Sequence, residues 1–113
     1  MATSQSTVDF IVEQVTGAGT VAARKMFGEY ALFCDGKLVA LICDDQLFIK
    51  PTVAGRAHIG GVTEKPPYKG AKPCFWISGD DWDNSDWLTA LVRITAAELP
   101  VPVKKPRKPK SAR

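Results

Sequence analysis

The segment from Arg24 to Pro51 constrains the fold more than any other part of the chain, because it encodes two tight turns in succession. Asp35-Gly36 is a preferred pair for a two-residue type I′ turn, in which both central residues take positive φ. Asp44-Asp45 indicates a second turn of the same length. The two turns predict a small antiparallel sheet built on consecutive hairpins.

The turn positions also predict the register of the strands, with these opposed pairs: Cys34 and Lys37, Leu32 and Val39, Tyr30 and Leu41, Ile42 and Leu47, Leu41 and Phe48. Side chains alternate between the faces of a sheet. One face is therefore predicted to carry Tyr30, Leu32, Val39, Leu41 and Phe48, and the other Ala31, Phe33, Leu38, Ala40, Ile42, Leu47 and Ile49. Both faces are apolar, so both need cover. Either a helix packs on each side, or a face or edge meets a second subunit, which makes a homodimer an expectation.

Two helices are predicted around this sheet. Val8, Ile11, Val12 and Val15 recur at helical spacing, and they predict a helix from Ser6 to Val15 that begins with Ser6 and Asp9 in a capping-box-like arrangement. A longer helix is expected from Asp83 to Leu99, ended by Pro100. The fold class is therefore α+β, with a central antiparallel sheet flanked by an N-terminal and a longer C-terminal helix.

The remaining segments add strands and a loop. Val21 to Phe27 is predicted to be a first strand, with Gly28 as a bend or bulge. Residues 51–73 are interrupted by glycines and prolines, which indicates a mobile loop with one helical turn from Thr52 to His58. Cys74 to Ile77 is expected to be a short strand at the sheet edge.

Composition indicates an ordinary globular chain of 113 residues with 45% apolar and 24% charged residues. It shows no signal peptide and no membrane-length apolar run, so a cytoplasmic location and no membrane partner are expected. Cys34, Cys43 and Cys74 are odd in number and lack paired spacing, which favours reduced thiols. The chain has one histidine, so we expect no metal site and no cofactor.

Charge divides the chain into a body and a tail. The net charge is +3, but residues 101–113 contain six basic residues and no acid, which leaves the body with 9 basic and 12 acidic residues. We therefore predict a domain at residues 1–100 and a disordered, Pro- and Lys-rich tail at residues 101–113. The basic residues of the tail are Lys104, Lys105, Arg107, Lys108, Lys110 and Arg113.

The ordered motifs resemble the N-terminal domain of the TfoX (Sxy) family of bacterial competence regulators. The resemblance rests on residues 25–30 (KMFGEY), the Asp35-Gly36 hairpin, the Asp44-Asp45 turn, the strand ending in Lys50 and residues 73–76 (PCFW), and it spans roughly residues 8 to 99. It implies an α+β domain, and a non-enzymatic regulatory or adaptor role through contact with another protein of the transcription machinery. Family regulators of competence genes act with the cyclic-AMP receptor protein and carry a second, helical domain. This chain ends in the basic tail instead, so it is similar to a stand-alone form of the N-terminal domain.

The tail is the first candidate site. Six positive charges spaced by prolines suit salt-sensitive contact with a nucleic-acid backbone, without sequence readout. The alternative function is therefore non-specific nucleic-acid binding, and the alternative for the tail itself is a solubilising end without a partner. Arg24, Lys25, Lys37 and Lys50 extend this surface onto the sheet if Tyr30 and Phe48 are free to stack on bases, but a core role for both aromatic residues is the better interpretation.

Three further groups are candidate sites. Asp80, Asp81, Asp83 and Asp86 lack the ligand order of a calcium loop and are better explained by helix capping. Cys74 and His58 are conceivable as a nucleophile pair, but the sequence indicates no third group to orient them, so no enzyme is predicted. Trp82 marks a protein interface if it is exposed.

Overall fold

Six antiparallel strands form one sheet in the computed structural model, which describes residues 3–26 and 29–100. The strands are β1 (Val21–Met26), β2 (Glu29–Cys34), β3 (Lys37–Cys43), β4 (Gln46–Ile49), β5 (Thr63–Lys65) and β6 (Cys74–Ile77), and their order across the sheet is β1-β2-β3-β4-β6-β5. The helices are α1 (Gln5–Gln14), α2 (Val53–Ile59) and α3 (Ser85–Glu98), with short 3₁₀ turns at Thr16–Ala18 and Gly79–Asp81. The predicted α+β fold is confirmed. Phe27, Gly28 and the predicted tail at residues 101–113 lie outside the described residues.

Both predicted two-residue turns are present. Asp35 and Gly36 have φ angles of 53° and 83°, and Asp44 and Asp45 have φ angles of 53° and 58°. Positive φ at both central positions is the requirement of the type I′ turn, whose twist matches that of the flanking strands. Cys34 opposes Lys37 across the first turn, as predicted.

The register beyond the first turn differs from the prediction because β3 contains a β-bulge. The pairing shifts between Leu32 and Phe33, so Leu32 opposes Ala40 and Tyr30 opposes Ile42. The predicted pairs of Leu32 with Val39 and of Tyr30 with Leu41 are therefore wrong. A bulge adds one unpaired residue to a strand. Here it turns Tyr30 and Leu32 to the same face as Ile42.

All three helices of the described chain pack on that same face. The main core there combines Val8 and Ile11 of α1 with Leu88 and Leu91 of α3, and its sheet residues are Leu32, Ala40, Ile42, Leu47, Ile49, Phe75 and Ile77. Helix α2 lies on the same side, with the Arg56 guanidinium 5.2 Å from the centre of the Phe75 ring. Full burial of each such aliphatic side chain contributes about 1.5–3 kcal/mol. The alternative of a helix on each side of the sheet is therefore wrong for the described chain.

The helix boundaries follow their capping residues. The N-cap of α1 is Ser4, whose side chain accepts a hydrogen bond from Thr7 N–H. The prediction that Ser6 begins the helix in a capping-box-like arrangement is therefore wrong, since the capping residue lies two positions earlier. Helix α3 is capped by Asn84 rather than beginning at Asp83. In both cases the residue that caps is the one whose side chain reaches the free N–H groups of the first turn.

The segment predicted as a loop contains regular structure. Helix α2 at Val53–Ile59 confirms the helical segment predicted from Thr52 to His58 to within one residue. The strand β5 was not predicted, and it pairs with β6 through Thr63–Trp76, Glu64–Phe75 and Lys65–Cys74. Strand β5 therefore occupies the edge, and the prediction that Cys74–Ile77 is the edge strand is wrong. Residues of β5 are all exposed and charged or polar, so they lack the apolar alternation that signals a strand.

Candidate interaction surface

The face of the sheet opposite the helices carries the candidate site. Alternation along the strands directs a second, smaller apolar cluster to this side, formed by Cys43, Phe48 and Cys74 with Leu41 and Trp76 packed against it. We call this side the helix-free face, and its residues include Arg24, Met26, Glu29, Ala31, Phe33, Leu38, Leu41, Cys43, Phe48, Lys50, Lys65, Cys74 and Trp76.

A cavity of about 510 Å³ opens on the helix-free face. Its lining is mainly apolar and consists of Met26, Glu29, Tyr30, Leu38, Leu41, Cys43, Lys50 and Tyr68. Met26 is 38% exposed and Tyr68 is 60% exposed, which makes them two of the few large hydrophobic residues on the described surface. The volume lies in the range of protein binding pockets, which is about 300–1,000 Å³.

A second cavity continues the first one. It is lined by the same Leu41, Lys50 and Tyr68 and extends along Pro67, Lys72 and Cys74. Pro67 is buried, so the segment between β5 and β6 lies against the sheet and forms one wall. We call the two cavities together the groove.

The groove has uncompensated positive charge. Lys50 is half-buried, and no carboxylate among the described residues forms an ion pair with it. The carboxylate of Glu29, at one end, accepts hydrogen bonds from Thr3 N–H (2.9 Å), the Thr3 hydroxyl (2.6 Å) and Asp44 N–H (3.2 Å). Glu64, at the other end, is paired with Arg56. Both acids that line the groove are therefore already engaged.

Cations lie over two aromatic rings of the helix-free face. The Arg24 guanidinium is 5.8 Å from the centre of the Phe33 ring, and the Lys65 ammonium is 4.2 Å from that of Trp76. The indole N–H of Trp76 donates to Gln46 Oε1 at 2.9 Å. Such cation–π contacts contribute about 0.5–1 kcal/mol at exposed sites, and they occupy the ring faces.

Tyr30 and Phe48 do not form a shared base-stacking surface. Tyr30 lies on the helical side, where its hydroxyl donates to Gln5 Oε1 at 3.0 Å, while Phe48 is on the helix-free face and 3% exposed. The bulge separates them, so their predicted position on one face is wrong. Lys37 donates from Nζ to the Ala96 carbonyl at 2.7 Å and so serves the end of α3. The six basic tail residues lie outside the described residues, and their nucleic-acid contact stays a prediction.

Cys74 and His58 are not brought together. His58 stacks on Trp87 with ring centres 5.3 Å apart, and its Nε2 lies 3.1 Å from the Trp87 carbonyl oxygen. The Cys74 thiol lies against the Lys72 carbonyl in the wall of the groove. Burial raises the pKa of the Cys34 and Cys74 thiols and raises that of Cys43 to about 11. All three cysteines are free and buried, and thiols with raised pKa values are weak nucleophiles.

The acidic residues considered as a calcium site lie at the N-terminal end of α3 or just before it. Asp80 and Asp81 lie in the 3₁₀ turn capped by Ser78, and Asp86 is in the first turn of α3. Within residues 3–26 and 29–100, no group of three or more His, Cys, Asp or Glu residues is placed to hold a metal ion. Trp82 is half-buried, and its indole N–H donates to the Ile77 carbonyl at 3.2 Å.

Sequence reasoning did not identify the groove as a site. Met26 and Tyr68 are far apart in sequence and meet only because residues 66–73 fold back over the sheet. The sequence does predict that both faces of the sheet are apolar. Helices on one side cover only one of these faces, so an apolar surface on the other side could have been expected.

The comparisons with known proteins agree with the resemblance. The profile of the TfoX N-terminal domain matches residues 13–99. A Spirochaeta aurantia protein named "Uncharacterized 12.7 kDa protein in trpE 5'region" is 41% identical over 111 residues, which cover 98% of this chain and 94% of that protein. None of the helices in the described ranges has the length and apolar content that a bilayer-spanning segment requires.

Proposed function

This chain belongs to the TfoX N-terminal domain family, and on that premise we propose that it is a non-enzymatic regulatory adaptor, similar to the N-terminal domain of competence regulators. It acts by binding another protein through the helix-free face. The observation that carries the proposal is the one-sided arrangement of the helices, which leaves an apolar face with a groove and with exposed Met26 and Tyr68. Contiguous exposed apolar surface of this kind is typical of interaction sites.

The chemistry of the described residues supports binding rather than catalysis. The thiols are buried, their pKa values are raised by burial, and the single histidine is held against Trp87. A nucleophile needs a base within hydrogen-bond reach, and Cys74 has none among the described residues. An adaptor needs only a surface that is complementary to its partner.

Introduction of a negative charge at exposed apolar positions tests the proposal with a matched control. Met26→Glu places a charge in the groove, and Phe10→Glu places the same charge on α1, where Phe10 is equally exposed at 38%. Both variants should fold, because neither side chain is buried in the core. We expect Met26→Glu to lose the proteins that co-purify with the wild-type chain under native conditions, and Phe10→Glu to retain them.

The size of the protein in solution separates a partner protein from a second copy of this chain. Sedimentation could show a dimer that Met26→Glu dissociates and Phe10→Glu leaves intact. In that case the helix-free face binds a second copy of this chain, as the expected homodimer requires, and not a different protein. If neither substitution changes the co-purifying proteins, the proposed role of this face is contradicted.

A further inference from the structure

We infer that the groove binds an acidic segment of a partner protein, which places one apolar side chain in the cavity beside Lys50. The inference rests on the adaptor function proposed above and adds the chemistry of the partner. It follows from three properties of the groove: its charge, the lining of its cavity and the occupied ring faces around it.

Positive charge is the first property. Lys50 and Lys72 line the groove without a carboxylate partner among the described residues, whereas Glu29 and Glu64 are engaged by Thr3 and Arg56. Lys50 is half-buried beside Leu41 and Cys43, so water and salt screen its charge less than that of a surface lysine. A carboxylate bound there gains more than it would at the surface of the protein.

The apolar lining is the second property. Met26, Leu38 and Leu41 surround a cavity of about 510 Å³, which is large enough for a leucine or phenylalanine side chain. A buried apolar anchor surrounded by polar contacts is the usual arrangement of an interface hot spot. The combination of one anchor site and adjacent lysines selects a segment in which acidic and apolar residues are neighbours.

The ring faces favour a protein partner over a nucleic acid. Sheet-based nucleic-acid readers stack bases on free aromatic rings. On the helix-free face, Arg24 lies over Phe33, Lys65 lies over Trp76, and Phe48 is 3% exposed. Tyr68, which is 60% exposed, is the accessible aromatic residue of the groove lining, and a single ring does not make the platform on which such readers stack two or three bases. The groove therefore offers a mainly aliphatic cavity.

Fluorescence anisotropy with labelled peptides tests the inference on the full chain. The probe is a short peptide in which glutamates alternate with leucines, and two companion peptides replace either its leucines with serines or its glutamates with lysines. The glutamate–serine peptide has no apolar anchor, so it measures charge attraction alone, both to the groove lysines and to the basic residues 101–113. We expect the glutamate–leucine peptide to bind most tightly and the lysine–leucine peptide to bind least.

Substitution of Lys50 locates the binding site. Lys50→Met keeps the length and apolar stem of the side chain and should weaken the glutamate–leucine peptide by about tenfold or more, because its partner carboxylate is left unpaired in a partly desolvated site. Lys50→Arg should restore most of the affinity. Lys25→Met, which removes the same charge from an exposed position outside the groove lining, should leave the affinity unchanged.

Three outcomes would overturn the inference. Equal binding of the glutamate–leucine and glutamate–serine peptides would show that the cavity contributes nothing. Equal effects of Lys50→Met and Lys25→Met would place the binding elsewhere. Binding of a single-stranded oligonucleotide that depends on Lys50, in the absence of peptide binding, would assign the groove to nucleic acid. Any of these results leaves the adaptor proposal standing if Met26→Glu still removes the co-purifying proteins.

Discussion

Two exposed carboxylates hold the N-termini of helices α1 and α2 in place. Asp45 accepts hydrogen bonds from Ser4 N–H and the Thr7 hydroxyl, both at 2.9 Å, and the first of these is the main cause of its lowered pKa. Glu98 accepts from Ala54 N–H at 2.9 Å and Val53 N–H at 2.8 Å, which lowers its pKa in the same way. Negative charge near a helix N-terminus is favourable because it meets the positive end of the helix dipole.

The lowered pKa of Asp45 predicts a pH-dependent contribution to stability. Because this pKa is lower in the folded than in the unfolded chain, the stabilisation is complete above the unfolded value and is lost as the pH falls through the folded value. Asp45→Asn removes the charge but keeps a residue that tolerates the φ of 58°. The melting temperature of the wild type should exceed that of the variant near neutral pH, and the difference should close in acid. A difference that is constant with pH would contradict this role, and Asp83→Asn at an exposed site is the control.

Gly55 is required by the cap of α2. A Cβ atom at this position would lie 2.5 Å from Thr52 Oγ1, the atom that accepts the hydrogen bond from Gly55 N–H at 2.9 Å. Alanine normally stabilises a helix relative to glycine by about 1 kcal/mol. We nevertheless expect Gly55→Ala to destabilise the protein by about 1–3 kcal/mol in urea unfolding, because the clash displaces the buried Thr52 side chain. Gly61→Ala, which meets no atom within 4 Å, should be close to neutral.

At the scale of elements, the segment before α1 ties the helical layer to the sheet. Thr3 is 6% exposed, and its hydroxyl donates to Glu29 Oε1 at 2.6 Å on β2 and accepts from Asp45 N–H at 3.1 Å in the β3–β4 turn. The start of α1 therefore depends on one group from β2 and one from the β3–β4 turn. Glu29 also lines one end of the groove. Its carboxylate is engaged by Thr3 and is therefore not free to pair with Lys50.

Thr3→Val tests whether the hydrogen bonds of the Thr3 hydroxyl, rather than the packing of its side chain, hold the start of α1 in place. The substitution keeps the shape of the side chain but leaves the Asp45 N–H and the Glu29 carboxylate without the hydroxyl, which typically costs about 1–3 kcal/mol. We expect the free energy of unfolding, measured with urea, to fall by this amount. Amide hydrogen exchange, compared with the wild type, should become faster in α1 but not in α3. Thr63→Val on the exposed edge strand β5 is the matched control and should change neither quantity. Uniform exchange changes in both helices would argue against a local role for Thr3.

At the scale of the whole molecule, the sheet has one covered face and one with a groove. The helices bury Leu32, Ile42 and Leu47 completely, whereas the helix-free face relies on its own small cluster and on residues 66–73. The main core therefore lies on the covered face, and the groove lies on the other. The family match spans both parts, since it extends over residues 13–99.

The sequence predicted what local chemistry encodes and missed what tertiary packing decides. The Asp35-Gly36 and Asp44-Asp45 turns were predictable because positive φ restricts the choice of residues. The bulge in β3 carries no such signal, because Val39 at the bulge is an aliphatic residue like Leu38 and Ala40 on either side of it. The groove was out of reach for a similar reason, since it requires the fold to bring Tyr68 over β3.

Site-specific photo-crosslinking at Tyr68 and Phe10 tests whether the helix-free face binds another protein. Both are exposed aromatic residues, at 60% and 38%, so a photoreactive phenylalanine analogue replaces either one with little change. If the helix-free face binds a partner protein, crosslinking in intact cells should yield a discrete adduct of larger mass from position 68 and none from position 10. An adduct from position 10 alone, or the same adducts from both positions, would contradict the assignment of binding to the helix-free face.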